Sequence, residues 1–227
     1  MEILINFSKV MIIYMFSIKI NFNLFLKYYP ITSLIVCLCS VVIILQIYLG
    51  FTEDSIIILG GLDKELIESG YIWRFITYSF AHMSLFHYII NIPILIILAR
   101  PIEKYYGSVL FLIVFLILSI CAGMSIYYFF DGAYPLVGSS GAGYGLIGIL
   151  AFLLLRYPSK ISPYDKKFIL YLLFFSLIFT ISIPNLAISG HVGGFISGII
   201  IAFIISLFKR KGGEELLDLY TAKLNTT

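Results

Sequence analysis

Charged residues are scarce in this chain of 227 residues: Asp, Glu, Lys and Arg make up 12% of it, whereas apolar residues make up 61%. The mean hydropathy is +1.05. Soluble domains carry about 25% charged residues, so this composition excludes an ordinary soluble fold. The net charge of +3 is too small to indicate a nucleic-acid-binding protein. We therefore expect the lipid bilayer, and not nucleic acid, to surround the chain.

Cysteine is scarce as well, and its positions argue against disulfides and zinc. The three cysteines, Cys37, Cys39 and Cys121, all fall inside apolar runs. Cys37 and Cys39 are two residues apart on one predicted helix and point to different faces, which makes them poor disulfide partners. No zinc-type pairing is visible. We interpret the cysteines as packing residues.

Long apolar stretches are what the chain has in abundance. A helix needs about 20 such residues to cross the hydrocarbon core. Six stretches approach or reach that length, and the fourth is short: 31–49, 84–99, 109–129, 140–155, 168–183 and 189–208. They predict an all-α, polytopic membrane protein with a six-helix bundle over residues 30–208. Residues 1–29 are predicted to be a cytoplasmic or interfacial segment, with a seventh span as the alternative, and residues 209–227 a cytoplasmic tail.

The connection from Phe51 to Met83 is the longest between the predicted spans and is too apolar to be simply solvated. We predict that it carries short helices in the membrane interface. Amphipathic aromatic side chains favour the headgroup level, so Trp73, Tyr71 and Tyr78 are expected there.

Positive charges predict the orientation. Lys and Arg follow the second, fourth and sixth stretches and precede the first, whereas the other connections contain only Lys64 and Arg74. This asymmetry predicts that both termini are cytoplasmic. The second, fourth and sixth stretches would then begin on the extracytoplasmic side. The unusual polar residues cluster at those three beginnings: His82, His87, Asn91, Ser140 and His191.

Ser140 and His191 are a candidate nucleophile and a candidate general base. A serine hydroxyl is reactive only when a base takes its proton, and a helix N-terminus favours the anion that forms beside it. Histidine inside a membrane segment is costly and tends to mark function. The alternatives are that Ser139 or Ser140 caps a helix, and that His191 makes a hydrogen bond between helices.

Glycine spacing predicts that these two residues meet. One stripe contains Gly190, Gly194 and Gly198, and a similar face of the fourth stretch contains Gly141, Gly145 and Gly148. Small residues at this spacing allow close helix contact. Tyr144 falls on the same side as Ser140 and is expected to stack on the imidazole. No Asp or Glu is placed to orient His191, so a dyad is predicted in place of a triad.

His87 and Asn91 lie four residues apart and project from one helix face. Together with the Ser140 amide they would form an oxyanion hole. The alternative is a polar patch that lines a water-filled cavity. His82 would orient His87 or a loop. A metal site is not predicted, because the three histidines have no His-Glu-x-x-His arrangement and no nearby carboxylate.

In this order the motifs resemble those of the rhomboid intramembrane serine proteases, from Ile31 to Phe208. The matching signatures are Trp73-Arg74, His82 with His87-x-x-x-Asn91, Glu103-x-x-x-Gly107, Gly138-x-Ser140-Gly141-x-x-Tyr144 and His191-x-x-Gly194-x-x-x-Gly198. Two details depart from the common pattern: Ser139 stands beside Ser140, and Gly190 stands where alanine is usual.

The resemblance implies six helices around a water-filled outer cavity, with Ser140 as nucleophile and His191 as base. It implies that the Ser140 amide, His87 and Asn91 stabilise the oxyanion, and that the substrates are single-span membrane proteins. No metal or organic cofactor is required. We expect Glu103 and Arg74 to be structural, the first at a helix end and the second in the first loop.

Two other function classes stay open from the residues alone. A transporter would use the same cavity and histidines for protons, but transporters usually need an intramembrane acid, and the six stretches contain none. A non-catalytic membrane protein would bind transmembrane helices without cutting them. An activated serine distinguishes the protease from both.

Overall fold

The computed structural model describes residue 16 and residues 21–182 and 187–209, and these are helical with a single isolated β-bridge. The helices are α1 (Phe22–Tyr28), α2 (Pro30–Leu49), α3 (Glu53–Ile58), α4 (Lys64–Glu68), α5 (Arg74–Thr77), α6 (Leu85–Tyr106), α7 (Ser108–Phe129), α8 (Ser140–Arg156), α9 (Pro163–Ser182) and α10 (Ile188–Lys209). A 3₁₀ turn over Pro158–Lys160 precedes α9.

Four helices within the described ranges, α2, α6, α7 and α10, are long and apolar enough to cross a membrane. The apolar helix α8 has 17 residues, as its short predicted span requires. Helix α9 has 20 residues and contains the charged run Asp165-Lys166-Lys167 near its N-terminus. The prediction of an all-α, polytopic architecture is therefore confirmed. Of the predicted N-terminal segment, the structure describes residue 16 and residues 21–29, which include α1, and the predicted tail after residue 209 lies outside the described residues.

Two helix boundaries differ from the predicted ones. The second span was expected to end at Ala99, before Arg100-Pro101, but α6 continues to Tyr106 with Pro101 inside it. Tertiary hydrogen bonds to Glu103 on this extension offset the backbone bond that proline removes. Helix α9 begins at Pro163 and not near Phe168, because the Ser162 hydroxyl caps it by accepting the Asp165 N–H at 3.0 Å.

Glu103 joins three helices near the C-terminal end of α6. Its buried carboxylate accepts hydrogen bonds from the backbone N–H groups of Ile31 and Thr32 at 2.9 and 2.8 Å. It also accepts from the hydroxyls of Thr32 and Ser108 at 2.6 and 2.8 Å. These bonds satisfy free amides at the start of α2 and link α2 and α7 to α6. The structural role expected for Glu103 at a helix end is therefore confirmed.

Helices α8 and α10 touch through glycines, as predicted. A Cβ on Gly194 would overlap the carbonyl oxygen of Gly141, and one on Gly198 would overlap that of Gly145. Gly148 in turn faces the carbonyl of Phe195. The backbones therefore lie in direct contact.

Gly190 was predicted to belong to the same stripe, but it faces α7 and not α8. A Cβ on Gly190 would overlap the Ile126 side chain of α7.

The first loop folds around Arg74, whose guanidinium donates to the carbonyl oxygens of Gly61 and Ile57 at 2.5 and 3.0 Å. This confirms the expected role of Arg74. Trp73 is exposed and packs edge-on against Tyr71, with ring centroids 5.0 Å apart. Tyr78 was expected at headgroup level, and that was wrong.

Tyr78 is buried because its ring packs beside Gly123 of α7, where a side chain would be obstructed. Its hydroxyl donates to the Ser119 carbonyl at 3.0 Å. The buried phenol hydroxyl thus finds an acceptor inside the bundle.

The same loop also holds the segment that leads to α8. Leu62 and Leu136 exchange two backbone hydrogen bonds, each 2.8 Å long. The Gly138 N–H donates to the Tyr78 carbonyl at 3.0 Å. Residues 136–138 are therefore tied to the first loop directly before Ser140.

Replacement of Gly198 by alanine is predicted to destabilise the bundle. The new Cβ would meet backbone atoms of Gly145, which cannot rotate away, so we expect the free energy of unfolding to fall by about 1–3 kcal/mol. Thermal unfolding in detergent measures this. Gly143→Ala is the matched control, because its Cβ meets nothing within 4 Å. Equal stability of the two variants would contradict the described α8–α10 contact.

Candidate active site

Ser140 and His191 lie within hydrogen-bond distance at the beginnings of α8 and α10. Ser140 Oγ is 3.1 Å from His191 Nε2. The histidine is 4% exposed, whereas Ser140 is half-buried. A base in contact with an alcohol that substrate can still reach is the arrangement that nucleophilic catalysis needs. The glycine contacts between the two helices produce it, since both residues sit one turn or less from the first glycines in contact, Gly141 and Gly194.

Ser139 is the residue at the N-cap of α8, but its side chain makes no capping bond. Its hydroxyl is buried and has no hydrogen-bond partner in the described part of the chain. The alternative interpretation therefore holds for the position of Ser139, which is the N-cap residue, but not for a capping bond from its side chain. Of the two serines, Ser140 is the one whose hydroxyl meets the histidine.

Tyr144 lies one turn along α8 from Ser140 and stacks on the imidazole, as predicted. The centroids of the Tyr144 and His191 rings are 3.9 Å apart, and the ring planes differ by 10°. The Tyr144 hydroxyl donates to the Ser176 carbonyl of α9 at 2.6 Å. The phenol therefore fixes the plane of the imidazole from one side while anchored to α9 at its far end.

Thr180 is a site residue that the sequence did not reveal. Its Oγ1 lies 3.2 Å from His191 Nδ1 and 2.5 Å from the Tyr144 hydroxyl. One threonine in the apolar stretch of α9 gives no signal of its own. Its role depends on which helix face packs against α8 and α10, and that packing is a tertiary property.

His87 lies near Ser140, and Asn91 follows His87 one turn along α6. The backbone N–H of Met83 donates to His87 Nδ1 at 3.3 Å, so Nδ1 is an acceptor and Nε2 carries the proton in the neutral ring. A Cβ on Gly138 would lie 3.0 Å from His87 Cε1 and 3.7 Å from Ser140 Oγ. The imidazole and the serine hydroxyl therefore flank Gly138.

Glycine is required at position 138 for two reasons: the space is occupied, and φ is +134°. Asn91 Nδ2 donates to the His87 carbonyl at 2.9 Å, which holds the amide on the face that also bears His87. The predicted grouping of Gly138, Ser140, His87 and Asn91 at one end of the bundle is therefore observed.

His82 supports this corner through its backbone. Gln46 of α2 donates to the His82 carbonyl at 2.7 Å and accepts its N–H at 3.1 Å. The ring lies edge-on to His87 with centroids 5.2 Å apart, and neither ring nitrogen has a hydrogen-bond partner among the described residues. Burial, with a smaller contribution from His87, lowers the pKa of His82 to about 3, so its ring is neutral.

The remaining predicted residues lie away from the dyad. Trp73 and Arg74 belong to the first loop, and Glu103 lies toward the opposite end of α6. Over residues 21–182 and 187–208, no three His, Cys, Asp or Glu side chains form a cluster suited to a metal ion.

Sequence comparison identifies the family to which this arrangement belongs. The profile of the Rhomboid domain matches residues 69–208, which include Ser140, His191, His87 and Asn91. The chain belongs to the rhomboid family. As a rhomboid with several long apolar helices, it is a multi-pass membrane protein.

Several rhomboid proteins align over most of the chain. Rhomboid protease GluP of Bacillus subtilis is 29% identical over 77% of this chain, which spans only 34% of the length of GluP. Rhomboid protease GlpG of Haemophilus influenzae is 28% identical over 81% of this chain and 95% of its own length. Inactive RHOMBOID-like protein 8 of Arabidopsis thaliana is 32% identical over 66% of the chain and 43% of its own length. Family membership alone therefore does not establish catalysis.

A fluorophosphonate, which reacts with activated serines, is predicted to modify Ser140 and not Ser139. The Ser140 hydroxyl is half-buried and contacts His191, whereas the Ser139 hydroxyl is buried and has no partner among the residues that the structure describes. We expect Ser140→Ala to abolish labelling and Ser139→Ala to retain it, with the adduct located by mass spectrometry of peptides. Labelling that persists in Ser140→Ala and disappears in Ser139→Ala would show that Ser139, and not Ser140, is the nucleophile.

Proposed function

We propose that this rhomboid is an intramembrane serine endopeptidase with a Ser140–His191 dyad. The observation that carries the proposal is the 3.1 Å contact between Ser140 Oγ and His191 Nε2, with Tyr144 stacked on the imidazole. The protease relatives GluP and GlpG support it. The chain has both Ser140 and His191, and this argues against a non-catalytic rhomboid.

The chemistry proceeds through an acyl-enzyme. His191 Nε2 accepts the Ser140 proton as Oγ attacks the scissile carbonyl carbon. The imidazolium then donates that proton to the departing amine, and the peptide C–N bond breaks. Water, deprotonated by the same nitrogen, then attacks the ester carbon, the bond from that carbon to Ser140 Oγ breaks, and the imidazolium returns its proton to Oγ. No metal or cofactor takes part in any step.

Three groups stabilise the oxyanion that develops on the scissile carbonyl. These are the Ser140 backbone N–H, His87 Nε2–H and an N–H of Asn91. The proton on His87 Nε2 follows from the Met83 N–H that occupies Nδ1. The N-terminus of α8 adds the positive end of the helix dipole.

The proposed membrane arrangement has six spanning helices: α2 and α6 to α10. The N-termini of α6, α8 and α10 share one end of the bundle with the site. Lys104, Arg156 and Lys209 lie in the last turns of α6, α8 and α10, at the other end. Since positive charge favours the cytoplasm, the site opens to the extracytoplasmic side and both termini are cytoplasmic.

The proposed substrates are single-span membrane proteins that approach beside α9. Three phenylalanines, Phe174, Phe175 and Phe179, are exposed on this helix and would form a bulky gate. A substrate helix must unwind before its carbonyl can react, because helical carbonyls are hydrogen-bonded and shielded. Gly or Pro in the substrate lowers that cost.

The direct test reconstitutes the pure chain in liposomes with a transmembrane substrate that contains a helix-breaking residue. We expect cleavage by the wild type, none by Ser140→Ala or His191→Ala, and no effect of chelators. Undiminished cleavage by Ser140→Ala, or loss of wild-type cleavage in chelator alone, would refute the proposal. Helix binding without cleavage by the wild type would support the non-catalytic class.

His87→Ala and Asn91→Ala are predicted to lower kcat by about 10²–10³ each, because each removes one oxyanion donor. Ile89→Ala, which changes an exposed residue of the same helix, is the control and should retain wild-type kcat. Initial rates over a range of substrate concentration separate kcat from KM. A change confined to KM would show that these side chains bind substrate and do not stabilise the oxyanion.

A further inference from the structure

Thr180 contacts the base of the dyad from a third helix. Its Oγ1 lies 3.2 Å from His191 Nδ1, the ring nitrogen that faces away from Ser140. The threonine is 6% exposed, although it belongs to a helix whose neighbouring residues are largely exposed. We propose that Thr180 is a positioning residue that fixes the tautomer and orientation of His191. This catalytic consequence rests on the proposed protease function.

The hydrogen-bond partners of Thr180 determine the direction in which its hydroxyl proton points. A threonine hydroxyl has one proton and two acceptor lone pairs. The Ser176 carbonyl lies 2.9 Å from Oγ1 and accepts that proton. The Tyr144 hydroxyl, 2.6 Å from the same carbonyl and 2.5 Å from Thr180 Oγ1, is a further donor to this pair of oxygens, and the two lone pairs of Thr180 allow it to accept from two groups. Thr180 is therefore left to accept from His191.

This arrangement selects the tautomer that a general base needs. Nδ1 must carry the proton in order to donate to Thr180, so Nε2 of the neutral ring is unprotonated. Nε2 is the nitrogen that lies 3.1 Å from Ser140 Oγ. His87 has the opposite tautomer, because its Nδ1 accepts a backbone N–H. One histidine is thus set as an acceptor toward the reaction centre and the other as a donor.

Thr180 occupies the place of the acid in a Ser-His-Asp triad, with one chemical difference. A carboxylate both orients the imidazole and stabilises its positive charge, whereas a neutral hydroxyl only orients it. The effect of removing Thr180 should therefore be modest and confined to the chemical step. Because Thr180 belongs to α9, the orientation of His191 also depends on the position of that helix.

The test compares Thr180→Val, which keeps the shape and removes the hydroxyl, with Thr180→Ser, which restores the hydroxyl. Loss of one hydrogen bond predicts a roughly three- to tenfold decrease in the rate of fluorophosphonate labelling of Ser140 and in kcat, with KM unchanged. Thr180→Ser should recover most of the rate. Ile181→Val, a neighbouring exposed position, is the control and should match the wild type.

A second readout is independent of cleavage: ¹⁵N NMR of histidine-labelled full-length chain in nanodiscs. We expect His191 to be protonated at Nδ1 in the wild type and Thr180→Val to raise the Nε2-protonated fraction. The signals are assigned with His82→Gln and His87→Gln. Such a shift in a chain that cleaves nothing would refute the protease function while supporting the positioning role. An unchanged tautomer and labelling rate in Thr180→Val, or a Thr180→Ser variant as slow as Thr180→Val, would overturn the positioning role.

Discussion

The backbone contact between α8 and α10 is the constraint on which the rest of the site depends. Lipid tails are as apolar as the helices, so the hydrophobic effect does not drive helices together in the membrane. Close packing has to supply the driving force for their association. Glycines at 141, 145, 194 and 198 let the two backbones meet with no side chain between them. Because Ser140 and His191 stand at the heads of these helices, the contact that holds the bundle together also sets the distance between the two reactive atoms.

Two polar anchors lie at opposite ends of the bundle that surrounds this pair of helices. Glu103 joins α2, α6 and α7 at the end away from the site. At the other end, the first loop pairs with Leu136 and Gly138, so the segment before Ser140 is held in register. Arg74 in turn holds that loop through two carbonyls. The largely apolar interior of the bundle therefore relies on a small number of satisfied polar groups at its ends.

The part of the site that could be predicted from the sequence consists of residues that recur at regular helical spacing. Glycine spacing predicted the meeting of Ser140 with His191, and the i, i+4 spacing predicted that His87 and Asn91 share a face. Thr180 and Tyr78 could not be predicted, because each acts on a carbonyl or ring of another helix and no local pattern marks it. The continuation of α6 past Pro101 was missed for the same reason: the stabilising partners of Glu103 are distant in sequence.

An experimental structure of the chain after reaction with diisopropyl fluorophosphate is the most direct test of whether this corner of the bundle is a hydrolytic site. The geometry described here predicts a single phosphorus on Ser140 Oγ, with the phosphoryl oxygen within hydrogen-bond distance of His87 Nε2 and Asn91 Nδ2. His191 should remain stacked on Tyr144. An adduct on another residue, or a phosphoryl oxygen that points away from His87 and Asn91, would contradict it.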